Sequence, residues 1–217
     1  MGEVPQLLLG EAVTIQEFYQ IPEGPLPSIV RLPGVSRLTL CDLFRELGFS
    51  TGAEIGLWEG WFAAHLCMAN PSLHLYGVDC WADYAVSCGH PAPAAFTQAE
   101  RRAMNRLRRF PQITLLRTFS SEAAREIPDR SLDFVFIDGG HTYDEVTRDL
   151  EEWSPKVRSG GLISGHDYRA FEAWENEFPI GVVEAVDAYV SLHQIPTLYV
   201  LGPTPREKCP SYFWVNP

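Results

Sequence analysis

From residue 37 onward the chain alternates short, continuously apolar runs with stretches of helical period, and that alternation limits the folds open to it. The apolar runs are Ala53–Leu57, Leu73–Val78, Ile113–Arg117, Leu132–Ile137 and Leu162–Ser164. Around them lie Arg37–Leu47, with Leu40, Leu43, Phe44 and Leu47 at helical spacing and Gly48 as a stop, and Trp61–Met68. Three more follow: a helix opened by the capping box Thr97-Gln-Ala-Glu100 and reaching about Arg109, a short one capped by Ser120 or Ser121, and Tyr143–Val157, ended by Ser159-Gly-Gly161. Val182–Leu192 is a last helix. Thr197–Leu201 and Tyr212–Val215 close the chain as two strands joined by a loop too short for a helix. A strand buried on both faces reads as an unbroken apolar run, which marks a parallel sheet covered by helices on both sides. The short closing connection makes the last strand antiparallel. The expected fold is α/β, with a mostly parallel sheet, an antiparallel last strand and helices on both faces.

Residues 1–36 are rich in Pro and Gly and read as an N-terminal arm with a short helix near Val13–Tyr19. Residues 37–217 read as a single domain, in which 81–96 and 169–180 are loops that cover a substrate. Tyr84, Tyr168, Phe171 and Trp174 are the aromatic residues offered for such a pocket wall. The net charge of −11 repels a phosphate backbone, so no nucleic-acid partner is expected, and Arg101, Arg102, Arg106, Arg108 and Arg109 read as a solvated helix face. No apolar run is long enough for a membrane span, and the N-terminus lacks the pattern of a signal peptide. Five cysteines at irregular spacing fit a reducing, cytoplasmic setting. Phe18 and Tyr19, if exposed, would support a homodimer.

In such a sheet, ligands bind beyond the carboxyl ends of the strands, near the point where strand order reverses. Glu54-Ile-Gly56-Leu-Trp58-Glu-Gly60 joins the first strand to its helix, and its glycines let the backbone approach a ligand. The spacing matches neither a nicotinamide fingerprint nor a P-loop. Asp79 ends the second strand, where a carboxylate can accept both ribose hydroxyls of an adenosine-containing cofactor. Trp81 follows it with an aromatic face, and Ser120 and Ser121 stand where a third loop meets adenine.

Asp138 follows a buried strand directly, then two glycines, then His141; His166-Asp167 occupies the next strand end. Burying a carboxylate is costly unless it is paired or bound to metal. Two chemistries use this set. In one, a divalent cation held by Asp138, Asp167 and His166 lowers the pKa of a substrate hydroxyl. In the other, a histidine takes the proton directly.

These motifs together (Glu54-x-Gly56-x-x-x-Gly60, Asp79, Phe136-Ile-Asp138-Gly-Gly-His141-Thr-Tyr143 and Gly160-Gly161-Leu-Ile-Ser-Gly-His166-Asp167-Tyr168) resemble the class I S-adenosylmethionine-dependent methyltransferases over roughly residues 37–217. The similarity is greatest to a bacterial branch laid out like the catechol-type and antibiotic-sugar O-methyltransferases. The resemblance implies a Rossmann-like, seven-stranded sheet with a reversed last hairpin, with Gly56 at the methionine part of S-adenosylmethionine, Asp79 at the ribose and Ser121 at the adenine edge. It also implies Asp138 at the first metal-ligand position, binding Mg2+ or another divalent cation, and His141 as general base. Those enzymes carry Asp-Asn or Asp-Asp where this chain has His166-Asp167. The function expected is O-methylation of a small-molecule acceptor; N-methylation and cofactor binding without turnover are the alternatives.

Overall fold

Leu132-Asp-Phe-Val-Phe-Ile137 shows most directly how the sequence builds the fold. It forms strand β5, with Phe134 and Phe136 buried on one face of the sheet and Val135 and Ile137 on the other. From Phe134 to Ile137 every side chain is apolar because both faces are covered, while Asp133, near the strand's start, is paired with Arg158. The computed structural model describes residues 13–81, 93–169 and 180–217. Along the chain they form α1 (Ile15–Phe18), β1 (Ile29–Leu32), α2 (Leu38–Glu46), β2 (Thr51–Ile55), α3 (Trp61–Ala69), β3 (His74–Val78), α4 (Pro93–Leu107) and β4 (Ile113–Leu116). Then come α5 (Ser120–Glu126), β5, α6 (Tyr143–Trp153), β6 (Val157–Gly165), α7 (Val182–Leu192), β7 (Leu198–Leu201) and β8 (Ser211–Val215). Tyr84, Phe171, Trp174 and most of the two covering loops lie outside the described residues.

The sheet has eight strands in the order β1-β7-β8-β6-β5-β2-β3-β4. Only β8 runs antiparallel to its neighbours, β6 and β7. Seven strands were expected. The eighth, β1, lies within the stretch read as an arm and pairs in parallel with β7, Ile29 beside Leu198 and Leu32 beside Leu201. It escapes sequence reading because its four residues sit between Pro27 and Pro33 and only Val30 is buried. Prolines beside a strand are tolerated at a sheet edge, where one row of N–H groups needs no partner.

Other boundaries move for physical reasons. Helix α4 begins at Pro93, so Thr97-Gln-Ala-Glu100 lies inside it rather than capping it. Helix α6 ends at Trp153 in a 3-10 turn that contains Pro155, and Gly160-Gly161 belongs to β6. There β6 breaks register with β5, and a Cβ on Gly161 would stand 2.4 Å from the Asp133 carbonyl. Phe18 and Tyr19 are half-buried against the core, with Tyr19 packed on Phe213 and within 3.1 Å of the Thr39 hydroxyl; they do not form the exposed patch on which the homodimer expectation rested. Among the described residues no helix is long and apolar enough to cross a membrane.

Strand order reverses beside β2: the chain runs outward through β3 and β4, then returns to β5 on the other flank. The crevice beyond the carboxyl ends of β2 and β5 is therefore where a ligand belongs.

Candidate active site

At the end of β2 the backbone turns through Gly56, whose φ of +87° favours glycine. A Cβ there would lie 2.0 Å from the Asp138 carbonyl oxygen, so glycine is what lets the ends of β2 and β5 come together. A cleft of about 270 Å³ opens at this junction. Gly56 and Gly139 line it, with Asp79 at one side, Phe119 and Ser121 at another, and Glu145 and Asp149 of α6 across from them.

Asp79 organises the first wall. One carboxylate oxygen accepts from the Leu57 and Trp58 amides at 3.0 and 2.8 Å, the other from the Trp81 amide at 2.8 Å. A carboxylate has about four acceptor positions, and three of those of Asp79 are taken by backbone amides. Trp81 is buried, and its indole N–H donates to the Trp58 carbonyl; it fastens the turn and offers no open face. Trp58, Gly60 and Glu54 also stand outside the lining. Trp58 is exposed, with its ring edge-on to Phe96. Gly60 caps α3 in the left-handed region, close against Leu107. Glu54 is buried inside β2, and burial, reinforced by the charge of Asp138, lifts its carboxyl well above the usual range.

Ser120 does not cap α5; Phe119 is the capping residue and makes no side-chain cap. Instead the Ser120 hydroxyl donates to Asp149 at 2.5 Å and accepts from the Trp153 indole at 2.8 Å. Ser120 and Ser121 both line the cleft, with the Ser120 hydroxyl tied to Asp149 and Trp153.

Next to this cleft, the ends of β5 and β6 bring together Asp138, His141, His166 and Asp167. Ligand-type atoms of Asp138, His141 and Asp167 all lie within 4.8 Å of one another. His141 Nε2 is 3.1 Å from Asp167 Oδ2 and 3.7 Å from Asp138 Oδ1. That nitrogen is buried between the two carboxylates. His166 stands outside this group of three. Its Nδ1 is 3.2 Å from Asp167 Oδ1, and its Nε2 faces Glu207 at 3.5 Å. Asp167 holds its side chain between the two rings from a left-handed backbone, φ +58°. Burial pulls the His141 pKa down, but the Asp138 and Asp167 carboxylates more than offset this and hold it at about 10. The same balance, with Asp167 and Glu207 as partners, puts His166 at about 9. Burial works against ionisation of Asp167, and the two imidazoliums overcome it, keeping that carboxyl far below its usual range.

Two residues of the site carry no motif and were not found in the sequence. Arg37, at the start of α2, places Nη1 3.1 Å from Asp138 Oδ2 and Nε 2.7 Å from Glu207 Oε1. Glu207, in the β7–β8 loop, also accepts from the Arg37 amide and the Ser36 hydroxyl, each at 3.0 Å. Arg37 thereby holds one oxygen of Asp138 and leaves the other facing the histidines. The only available signal was an Arg beginning a helix and an acid in a polar loop, which is commonplace. Tyr168, expected in a pocket wall, is a core residue instead, its hydroxyl donating to Asp187 at 2.6 Å.

Comparison with known proteins agrees with this layout. A family model described as a methyltransferase domain matches residues 53–168, which run from β2 to the end of the His166-Asp167-Tyr168 motif. Uncharacterized protein y4gI of Sinorhizobium fredii (strain NBRC 101917 / NGR234) is 40% identical over 53 residues, 24% of this chain; the match spans only 6% of that relative. Among solved structures, the O-methyltransferase TomG from Streptomyces achromogenes, involved in tomaymycin synthesis and in complex with SAM, is 14% identical with a TM-score of 0.60, over 83% of this chain and 79% of that one. The N-methyltransferase NodS from Bradyrhizobium japonicum WM9, in complex with S-adenosyl-L-homocysteine, is 16% identical with a TM-score of 0.57, covering 83% and 86%. The O-methyltransferase from Bacillus cereus, in complex with SAH, is 16% identical with a TM-score of 0.58, covering 83% and 82%. At such identities the structures speak for the fold, while the family model covers more than half of the chain. The chain belongs to the family described as a methyltransferase domain, and it shares the fold of solved methyltransferases bound to S-adenosylmethionine or its demethylated product.

Proposed function

We propose that this methyltransferase transfers a methyl group from S-adenosylmethionine to a hydroxyl oxygen of a small-molecule acceptor, with Asp138, His141 and Asp167 as its chemical centre. The observation that carries the reading is the convergence of those three side chains within 4.8 Å beside the cleft at Gly56. In it, the cofactor's ribose meets Asp79, its adenine lies along Phe119 and Ser121, and its methionine part passes Gly56. Displacement at a sulfonium is in line, so the chain contributes chiefly by holding the acceptor oxygen against the methyl carbon.

A hydroxyl becomes a good nucleophile as its proton leaves. His141, with a pKa raised to about 10 by its two carboxylate neighbours, already holds a proton at neutral pH and cannot accept another. Positive charge between Asp138 and Asp167 would relieve this. The carboxylates of Asp138 and Asp167, converging beside His141, fit a divalent cation of the Mg2+ type. Bound there, such an ion supplies Lewis acidity that lowers the acceptor hydroxyl's pKa. Asp138 and Asp167 would hold it, Arg37 would fix the rotamer of Asp138, and His141 would be freed to receive the proton.

The test is turnover and cofactor binding measured together. His141→Ala should lower kcat by about 10²–10⁴-fold, the usual worth of a positioned acid–base group, while S-adenosylhomocysteine affinity measured by calorimetry stays within about threefold of wild type. Chelation by EDTA should abolish turnover and Mg2+ or Mn2+ restore it. Full turnover by His141→Ala would overturn the base assignment, and EDTA-resistant turnover would overturn the cation.

A further inference from the structure

Six ionisable side chains close into a ring at the chemical centre, acids alternating with bases. Asp138 Oδ2 meets Arg37 Nη1 at 3.1 Å, and Arg37 Nε meets Glu207 Oε1 at 2.7 Å. The same Glu207 oxygen lies 3.5 Å from His166 Nε2, whose Nδ1 lies 3.2 Å from Asp167 Oδ1. Asp167 Oδ2 then faces His141 Nε2 at 3.1 Å, and that nitrogen returns to Asp138 Oδ1 at 3.7 Å. His166 Nδ1 also stands 3.7 Å from Asp138 Oδ1, across the ring. The members come from the start of α2, the ends of β5 and β6 and the β7–β8 loop, so only the folded chain assembles them.

Resting on the methyl-transfer reading above, we infer that Glu207 is a positioning residue for that reaction, and that it fixes the separation of Asp138 and Asp167 by acting on each through one base, Arg37 or His166. Glu207 stands opposite His141 in the ring and is itself anchored. Its second oxygen accepts from the Arg37 amide and the Ser36 hydroxyl, each at 3.0 Å, and its own amide donates to the Thr204 hydroxyl at 2.9 Å. The carboxylate is thus held in place apart from the two side-chain contacts that its first oxygen makes. Both of those partners transmit a position rigidly. A guanidinium is planar with donors in fixed directions, so holding Nε sets the direction in which Nη1 meets Asp138. An imidazole points its two nitrogens away from each other on a stiff ring, so a carboxylate at Nε2 sets where Nδ1 meets Asp167. Without Glu207, Arg37 and His166 lose the one point they share, and each acid is free to change rotamer without the other. Two carboxylates seat a divalent ion only while their oxygens keep a set spacing, and groups that orient metal ligands contribute to affinity for that reason.

The test reads His141, across the ring from Glu207, in the full-length protein. The ring signals of the six histidines are recorded by NMR, with those of His141 and His166 assigned from His141→Gln and His166→Gln. Glu207→Ala should move the signals of both rings. It should also weaken Mn2+ binding, followed by the electron paramagnetic resonance of the free ion, by about tenfold, the low end of what a group supporting a metal ligand contributes. Affinity for S-adenosylhomocysteine, measured by calorimetry, should be unchanged, because Glu207 does not line the cleft at Gly56. Glu207→Gln keeps the length and one acceptor oxygen and should show smaller changes of the same kind; it decides the matter if Glu207→Ala does not fold. A shift confined to His166 overturns the inference, by making Glu207 a partner of that ring alone. Wild-type Mn2+ affinity in both variants overturns it as well, and so does a parallel loss of S-adenosylhomocysteine affinity, which would make Glu207 a general support of the fold. Failure of the wild-type protein itself to bind Mn2+ would instead remove the cation from the proposed function, and the His141 signals alone would then decide the role of Glu207.

Discussion

Asp149 shows how one buried group ties the cofactor cleft to the stability of the chain. Burial lifts its pKa to about 6; the Ser120 hydrogen bond works against that rise, while Glu152 and Glu145 add to it. The folded state therefore binds this proton more tightly than the unfolded chain, whose carboxyl keeps a pKa near 3.8. The stabilisation is fully present below about pH 4 and is lost as pH rises through 6. A shift of that size corresponds to about 3 kcal/mol. Asp149→Asn keeps an acceptor for Ser120 and removes the titration. The variant's urea-unfolding free energy should lose the downward slope between pH 4 and 6, and at pH 8 it should exceed wild type by up to about 3 kcal/mol. An unchanged slope would show that another group carries it. The same scale separates what the sequence disclosed from what it did not. Asp138 and His141 could be read because an acid and a histidine directly after a buried strand are chemically costly and so conspicuous. Arg37 and Glu207 could not, because each is ordinary in its own segment and gains meaning only when α2 and the β7–β8 loop are folded against β5.

At the scale of elements, the site depends on how closely β2 and β5 approach. Gly56→Ala would place a methyl group 2.0 Å from the Asp138 carbonyl and force alanine into φ +87°. The cost should be at least about 2 kcal/mol, from left-handed strain and steric overlap together, and S-adenosylhomocysteine binding should be lost with it. A variant with wild-type melting temperature and affinity would show that the strands can part freely. Helix α6 supplies Glu145 and Asp149 to the cleft, and its first turn is fixed by a capping box between Thr142 and Glu145. Thr142→Ala should cost about 1 kcal/mol in urea unfolding and weaken cofactor binding as that turn frays. Most elements were legible because strands covered on both faces run apolar over their buried length, as β5 does from Phe134 to Ile137. Strand β1 was not, since it is short, flanked by prolines and covered on one side only. The Gly160-Gly161 pair was read as a helix stop because local sequence does not distinguish that use of glycine from a break in strand register.

The whole molecule couples these elements through the ligand. The proposed binding mode lays the cofactor across the ends of β2, β3, β4 and β5 and against α6, and a ligand bound by the folded chain alone stabilises that chain by mass action. At a free concentration of S-adenosylhomocysteine one hundred times its Kd the gain is about 2.7 kcal/mol. For a chain of 217 residues this corresponds to a rise in Tm of about 5–10 °C. The size of that shift in variants divides the molecule into the part that binds the cofactor and the part that serves the acceptor. Asp79→Ala releases the Leu57, Trp58 and Trp81 amides, so it should lower the unliganded Tm and remove most of the ligand-induced rise. His141→Ala acts beyond the cofactor and should leave the rise nearly whole, whatever it does to turnover. NAD should give no comparable rise, because the turn after β2 has the wrong glycine spacing for it. An Asp79→Ala variant that kept the full shift would put the nucleoside elsewhere than the cleft at Gly56. A larger shift with NAD would mean that the crevice at the strand reversal is built for a different nucleotide.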